Sequence, residues 1–298
     1  MAAQSPSRPF ELALLALLAL FWGSSYLFIK VALETIPPLT LIAFRVSFAA
    51  LLLYGVARWQ GHRFPADLST WMQFGIQCLF LCIGGWAVLA WGQQFIDSGL
   101  AGILNSTSPI FVFLITFLWT RHESVGGLRL AGALTGLAGV ILIIGADALR
   151  GLGTQVTGQI AVLASAVLYG ASAIYGKRFS HLPPTITAAG TMTVAATLLV
   201  PASLLVEHPW ALRPSAVSIS AAVALSVISS CLALLLYFRL IKTLGSMGTA
   251  SQAYLRVGVS VMLGAVILGE GIGWTVAVGL IAVVAGVVAI NVRPAAAK

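Results

Sequence analysis

Arg45 and Arg256 are the charged residues that fall well inside long apolar runs of this chain. A guanidinium in hydrocarbon costs about 2.5–3.5 kcal/mol on insertion scales, so each must face a cavity or a partner. Gln252 stands one helical turn before Arg256, and Asn105 stands one turn before Pro109. Two readings of Arg256 stay open. It bonds to carbonyls of a neighbouring helix or to water and locks the packing, or it seats a carboxylate. Arg45, nearer the end of its run, reads as snorkelling or pairing structurally. Around these cations lie hydroxyl and aromatic stripes at helical spacing. Trp22, Tyr26 and Lys30 lie four apart in one run, and Tyr169, Ala173 and Lys177 in another, with Ser24, Ser25, Ser172 and Tyr175 beside them. In lipid such groups turn inward, so these faces are candidate pathway walls, with core packing as the alternative at any single residue. Trp86, Tyr237 and Tyr254 are candidates for the same wall.

What is missing narrows the chemistry. All eight acidic residues (Glu11, Glu34, Asp67, Asp97, Glu123, Asp147, Glu207 and Glu270) lie at the ends of apolar runs or between them. So do His62, His122, His181 and His208. Intramembrane hydrolysis and proton relays use carboxylates or imidazoles within the bilayer, which argues against an enzyme. Cys78 and Cys82 share a helix face, yet with no His or carboxylate beside them they read as small packing residues, like Cys231. No metal or cofactor is expected.

The elements that must position these groups follow from composition. Of 298 residues, 59% are hydrophobic and 8% charged, with a mean hydropathy of +1.02. A soluble domain carries about 25% charged residues, so the main solvent here is lipid. Helices of about 20 apolar residues cross the hydrocarbon core. Ten windows qualify: 10–30, 38–57, 71–93, 98–119, 127–146, 155–177, 184–206, 215–239, 247–268 and 273–291. The first is too long for a signal-peptide core and reads as part of the mature chain. Turn residues separate the windows: Pro37-Pro38, Gly126-Gly127, Gly151 to Gly153, Pro183-Pro184 and Pro209 to Pro214. Pro109 removes one backbone hydrogen bond inside the fourth window, giving a kink or a break at a binding site. Gly132, Gly136, Gly139, Gly279 and Gly286 allow close helix approach, a dimer face included.

A second copy of the first half is displaced by 147 positions. Gly23 falls on Gly170, Lys30 on Lys177, Pro37 on Pro184, Asn105 on Gln252, Glu123 on Glu270, Gly132 on Gly279 and Gly139 on Gly286. Each copy holds an odd number of windows, so the second must enter the bilayer from the opposite face. The fold expected is an all-α integral membrane protein, ten transmembrane helices in two inverted five-helix repeats (1–147 and 148–298) around a central cavity. Alternating the basic residues across the windows places Arg8, Arg58, Arg63, Arg121, Arg129, Lys177, Arg178, Arg239, Lys242, Arg293 and Lys298 on one side. Lys30, Arg150 and Arg213 fall on the other. This asymmetry puts both termini in the cytoplasm of a multi-pass plasma-membrane protein. It assigns the +8 net charge to topology and anionic lipid, not to nucleic acid. Trp59, Trp71, Trp119, Trp210 and Trp274 read as an interfacial belt.

The run Phe21-Trp22-Gly23-Ser24-Ser25-Tyr26, then Lys30, Pro37-Pro38 and Phe44-Arg45, resembles the first-span pattern of the drug/metabolite transporter superfamily, EamA-like branch. Ser106-Thr107-Ser108-Pro109, Glu123 before a glycine-rich fifth window and Glu270 before the tenth fit the same pattern. Within the branch the chain is most similar to the YddG-type aromatic amino-acid exporters. It departs at Arg256, where a proline is common, and at Tyr169-Gly170, where Trp-Gly is. The resemblance implies export of metabolites, commonly amino acids, through the central cavity by alternating access. The residue types suit a neutral zwitterion with an apolar side chain, transported without obligatory proton coupling. A broad drug or nucleobase exporter of the same fold is the alternative, as a monomer or homodimer. The candidate substrate-binding set is Trp22, Ser24, Tyr26, Trp86, Asn105, Tyr169, Ser172, Tyr175, Tyr237, Gln252, Tyr254 and Arg256.

Overall fold

The computed structural model describes residues 8–92, 95–96, 98–120, 126–144, 155–259 and 273–292, and among them the chain is helical with no strand. Helix α1 spans Arg8–Ala32, α2 Pro38–Trp59 and α3 Leu68–Gly92. Then come α4 (Ser98–Asn105), α5 (Ser108–Ile115, extended by π turns to Thr120) and α6 (Gly127–Ile144). The second half follows with α7 (Val156–Gly176), α8 (Pro184–Val206), α9 (Ala216–Thr243), α10 (Gly245–Ala250), α11 (252–259) and α12 (Trp274–Asn291). Among the described residues eight stretches are long and apolar enough to cross a membrane, the pair α4–α5 counting as one. Helix α1, at 25 residues, has crossing length, and the 247–268 window runs into residues outside the described ones.

The outside is greasy and the inside is small, the reverse of a water-soluble bundle. Leu51 is 72% exposed and Leu205 78%, as a lipid-facing surface requires. Facing inward, α8 buries Thr185 through Met192, a run of small or flexible side chains. Without a hydrophobic force between helices in lipid, such residues let backbones approach and gain dispersion contact. The closest approach joins α6 to α12. A Cβ on Gly139 would sit 2.7 Å from the carbonyl oxygen of Gly279, and one on Gly132 2.8 Å from that of Gly286. These glycines therefore serve packing within the chain, where the sequence had left a dimer face open.

The same contacts give helix direction. Gly132, early in α6, meets Gly286, late in α12, and Gly139 meets Gly279, so the two helices run antiparallel. Helices α2 and α8 do likewise. Thr40 bonds Ser203 and Glu207 at one end, and Thr185 donates to Gln60 at the other. Helix α1 packs on α9, and α7 packs on α3.

Helix ends are stapled by side chains. Glu207 caps α2 by accepting from the backbone N–H groups of Leu39 at 3.0 Å and Thr40 at 2.6 Å. Asp67 caps α3 by accepting from Thr70 N–H at 2.8 Å, and hydrogen bonding from Thr70, side chain first and backbone second, holds its carboxyl below the usual range. Glu11 binds Arg239 and Thr243, both at 2.8 Å, tying the start of α1 to the end of α9. Trp59, Trp119, Trp210 and Trp274 are exposed at helix ends, as a belt requires. Trp71 is the exception. Half-buried, it donates to the Pro65 carbonyl and stands edge-on to Phe74, so local packing holds it.

Candidate functional site

Two helical stretches, one in each half, are interrupted, and the interruptions lie side by side. Pro109 has no N–H to give the Asn105 carbonyl four residues back, so α4 ends at Asn105 and α5 restarts at Ser108 after a two-residue turn. The interruption is a two-residue turn at which Thr107 keeps right-handed helical angles, and Leu100–Thr120 still forms one span. In the second half no proline is available. There Thr249 and Ser251 turn their hydroxyls back onto the carbonyls of Gly245 and Gly248, and α10 stops at Ala250 before α11 begins at Gln252. The Ser106 hydroxyl donates to the Ala253 carbonyl at 3.4 Å, a contact between positions 147 apart. Alongside it, Arg256 donates to Asn105 Oδ1. Asn105 Nδ2 and Gln252 Oε1 are buried with no hydrogen-bond partner among the described residues.

Above and below this crossing the chain encloses two cavities. The larger, about 700 Å³ and partly open to solvent, runs from Trp22 along Ser25 and Ile29 to Leu33 and Pro38, with Arg45, Trp86, Tyr169 and Arg256 in its wall. The smaller, about 310 Å³, is lined by Asn105, Ser108, Ala173, Tyr237, Ala250 and Gln252. Trp22, Tyr169 and Arg256 belong to both and form the waist between them. Their linings, mostly apolar with a few convergent polar groups, have the character of small-ligand sites.

Arg45 borders the same cavity and is buried and paired with protein groups, the structural pairing expected of it rather than snorkelling. It is 5% exposed. Its Nε donates to Ser230 Oγ at 2.6 Å and its Nη2 to the Ser229 carbonyl at 3.1 Å, while its Cζ stacks 3.9 Å from the Trp86 ring. Both holders sit in π-wound segments, Leu79–Ala87 within α3 and Val227–Leu232 within α9. Such segments often mark functional sites in otherwise regular helices. Trp22 Nε1 donates to the same Ser229 carbonyl at 3.0 Å, and Ser229 Oγ donates back to Phe21.

Beneath the smaller cavity, three polar groups from three helices close the bundle. Gln77 Nε2 donates to Ser172 Oγ at 2.9 Å, and Ser172 Oγ pairs with Tyr237 Oη at 3.1 Å. The Tyr237 ring lies 5.3 Å from Trp22.

Of the sequence-predicted residues, Trp22, Trp86, Asn105, Tyr169, Tyr237, Gln252 and Arg256 come together around the cavities. Ser172 lies in the closing network. Ser24 bonds its own helix at Phe21, whereas its neighbour Ser25 faces the larger cavity. Tyr175 packs edge-on against Phe80 and Phe179. Tyr254 is fully buried against Gly136 and donates to the Ala133 carbonyl at 2.8 Å, a helix-packing role. The side chains of Tyr26 and Lys30, and all of Glu123 and Glu270, lie outside the described residues. Gln77, Ser229 and Ser230 were not singled out from sequence. The Ser229-Ser230 doublet inside an apolar run was the available signal.

Helical runs of crossing length packed around a cavity with buried guanidinium groups define a multi-pass membrane protein. A profile of the EamA-like transporter family matches residues 9–145 and again residues 156–292. The chain belongs to this family of membrane transporters, part of the drug/metabolite transporter superfamily. It is 28% identical over 262 residues to the uncharacterized inner membrane transporter YedA of Escherichia coli K12, covering 86% of this chain and 82% of that one. An uncharacterized transporter of Archaeoglobus fulgidus is 25% identical over 92% of this chain and 94% of its own. The match to the uncharacterized transporter YoaV of Bacillus subtilis, 28% identical, spans 55% of this chain and 56% of that protein. One solved crystal structure shares the fold with a TM-score of 0.80 and 22% identity, covering 96% of this chain and 98% of its own.

Proposed function

We propose that this transporter exports small neutral metabolites, aromatic or other hydrophobic amino acids foremost, by alternating access between two inverted halves. It works as a facilitator in the plasma membrane with both termini cytoplasmic. The observation that carries the reading is the pair of cavities joined at Trp22, Tyr169 and Arg256, where the two broken helices cross. Two antiparallel pairings, α2 with α8 and α6 with α12, join helices that are equivalent under the 147-residue offset, and this supports the inverted arrangement. Guanidinium groups meet a carboxylate, Gln252 Oε1 meets the ammonium N–H, and Trp22, Trp86 and Tyr169 flank an apolar side chain. Under the proposed topology the larger cavity opens away from the cytoplasm at the α1–α2 connection. The Gln77–Ser172–Tyr237 network and the Glu11–Arg239 pair close the cytoplasmic side.

Counterflow of labelled phenylalanine, tryptophan and leucine in proteoliposomes tests the reading. Saturable exchange of these amino acids is expected, and its absence with folded protein would sink the substrate assignment. A second reading, export of drugs or nucleobases, is favoured by one observation. Asn105 Nδ2 and Gln252 Oε1, a donor and an acceptor each lacking a partner, sit in one cavity and could match the edge of a heterocyclic amide. Inhibition of amino-acid counterflow by uracil or guanine separates the two.

A further inference from the structure

Arg45 carries a buried positive charge that its own contacts leave uncompensated. Its partners are a serine hydroxyl, a backbone carbonyl and an indole face, all formally neutral. No ion pair to it exists among the described residues, and none of the residues lining the larger cavity is acidic. A guanidinium taken out of water is expensive unless an anion meets it. Here its aim is set from three sides. Trp86 stacks on the plane, Ser230 holds Nε and Ser229 holds Nη2, so the remaining Nη1 edge has no protein partner among the described residues. A planar cation held by both π-wound segments at a cavity wall is pre-organised for a carboxylate, which it can meet without further ordering.

We infer that Arg45 is the seat of the substrate's carboxylate, and that the site selects flat, apolar-bodied carboxylates whether or not they carry an α-ammonium. The inference rests on the exporter reading for the use of the cavity as a transport path, and it extends the neutral substrates proposed above to carboxylate anions of the same shape. The second guanidinium, Arg256, lines the same cavity, so a carboxylate meets cationic groups on this wall while an ammonium gains no anionic partner there. Replacing the ammonium by a hydroxyl should cost little affinity. Removing the carboxylate should cost most of it.

The experiment measures equilibrium binding to the purified protein in nanodiscs by quenching of intrinsic tryptophan fluorescence, with L-phenylalanine, L-phenyllactate and phenethylamine as probes. Phenyllactate is expected to bind within about threefold of phenylalanine, and phenethylamine at least about tenfold more weakly. Arg45→Gln should erase the preference for the two carboxylates, and Ser230→Ala, which keeps the charge but loosens its aim, should weaken them by a smaller factor. The wild-type comparison of the three probes stands even if Arg45→Gln fails to fold. Phenethylamine binding as well as phenyllactate, or unchanged carboxylate affinity in a folded Arg45→Gln protein, would overturn the assignment. Carboxylate-selective binding without flux in proteoliposomes would leave the seat in place and sink the exporter reading instead.

Discussion

At the residue scale, Arg256 and Tyr254 are neighbours on one helix with opposite duties. Arg256 reaches both cavities and holds Asn105 across the crossing of the broken helices. Arg256→Ala is expected to weaken substrate binding by about 1.5–3 kcal/mol, the worth of a charge-assisted hydrogen bond, while stability falls by about 1 kcal/mol. The fold loses less because cavity solvent can reach the freed amide oxygen. Thermal melting beside flux per folded molecule separates the two effects, and a large melting shift with undiminished flux would make Arg256 a packing lock. Tyr254→Phe should do the opposite. It removes the bond to Ala133 at a site remote from the cavities, so stability drops by about 1 kcal/mol and specific flux stays level. Sequence spacing placed both residues on a candidate wall because a stripe gives the face of a helix but not the neighbour it meets. The partners of Arg45 could not be named from the sequence for a related reason. The groups that aim it stand 41 positions away, at Trp86, and 184 and 185 positions away, at Ser229 and Ser230.

At the element scale, glycine spacing sets how closely α6 and α12 can pack. A methyl group at Gly139 would press on the Gly279 carbonyl oxygen and the Val283 backbone nitrogen, both 2.7 Å away, and neither can rotate aside. Gly139→Ala should therefore cost about 1–3 kcal/mol by overpacking. Gly127→Ala, which meets nothing within 4 Å, is the matched control and should be silent. Melting of the two variants in detergent checks this, and equal melting temperatures would mean that the helices separate easily. The sequence signalled the glycines and the ends of most helices, since Pro38 and Pro184 open helices and Gly126 precedes one. It also flagged Pro109 without deciding between bend and break. The matching break at Ser251 was hidden, because hydroxyls bonding to their own helix do there what the missing proline does in the first half. The π-wound segments were invisible as well. Their winding depends on tertiary partners such as Arg45 and Trp22, not on local propensity.

At the scale of the whole molecule, the 147-residue offset was legible before any coordinate, and the family profile falling twice on the chain agrees with it. What a transporter of the proposed inverted design works against is a question of charge balance. Among the described residues the titratable groups lining the two cavities are arginine and tyrosine, which do not cycle protons near neutral pH, so an obligatory proton partner is not expected. If Arg45 seats a carboxylate and the α-ammonium is dispensable, the charge carried per cycle depends on the ligand. Phenylalanine crosses as a zwitterion with no net charge. Phenyllactate crosses as an anion, and a membrane potential then acts on it with about 2.3 kcal/mol per 100 mV, roughly a fiftyfold concentration ratio. An interior-negative potential drives that anion outward, the direction of export. In proteoliposomes clamped with valinomycin and potassium, phenyllactate distribution should therefore follow the imposed potential, while phenylalanine equilibrates to equal concentrations regardless. Protein-free vesicles give the leak of the free acid. Accumulation of phenylalanine under a pH gradient at zero potential, abolished by an uncoupler, would show that a proton is carried, and Lys30 and Lys177 at matched helix ends would be the first groups to replace.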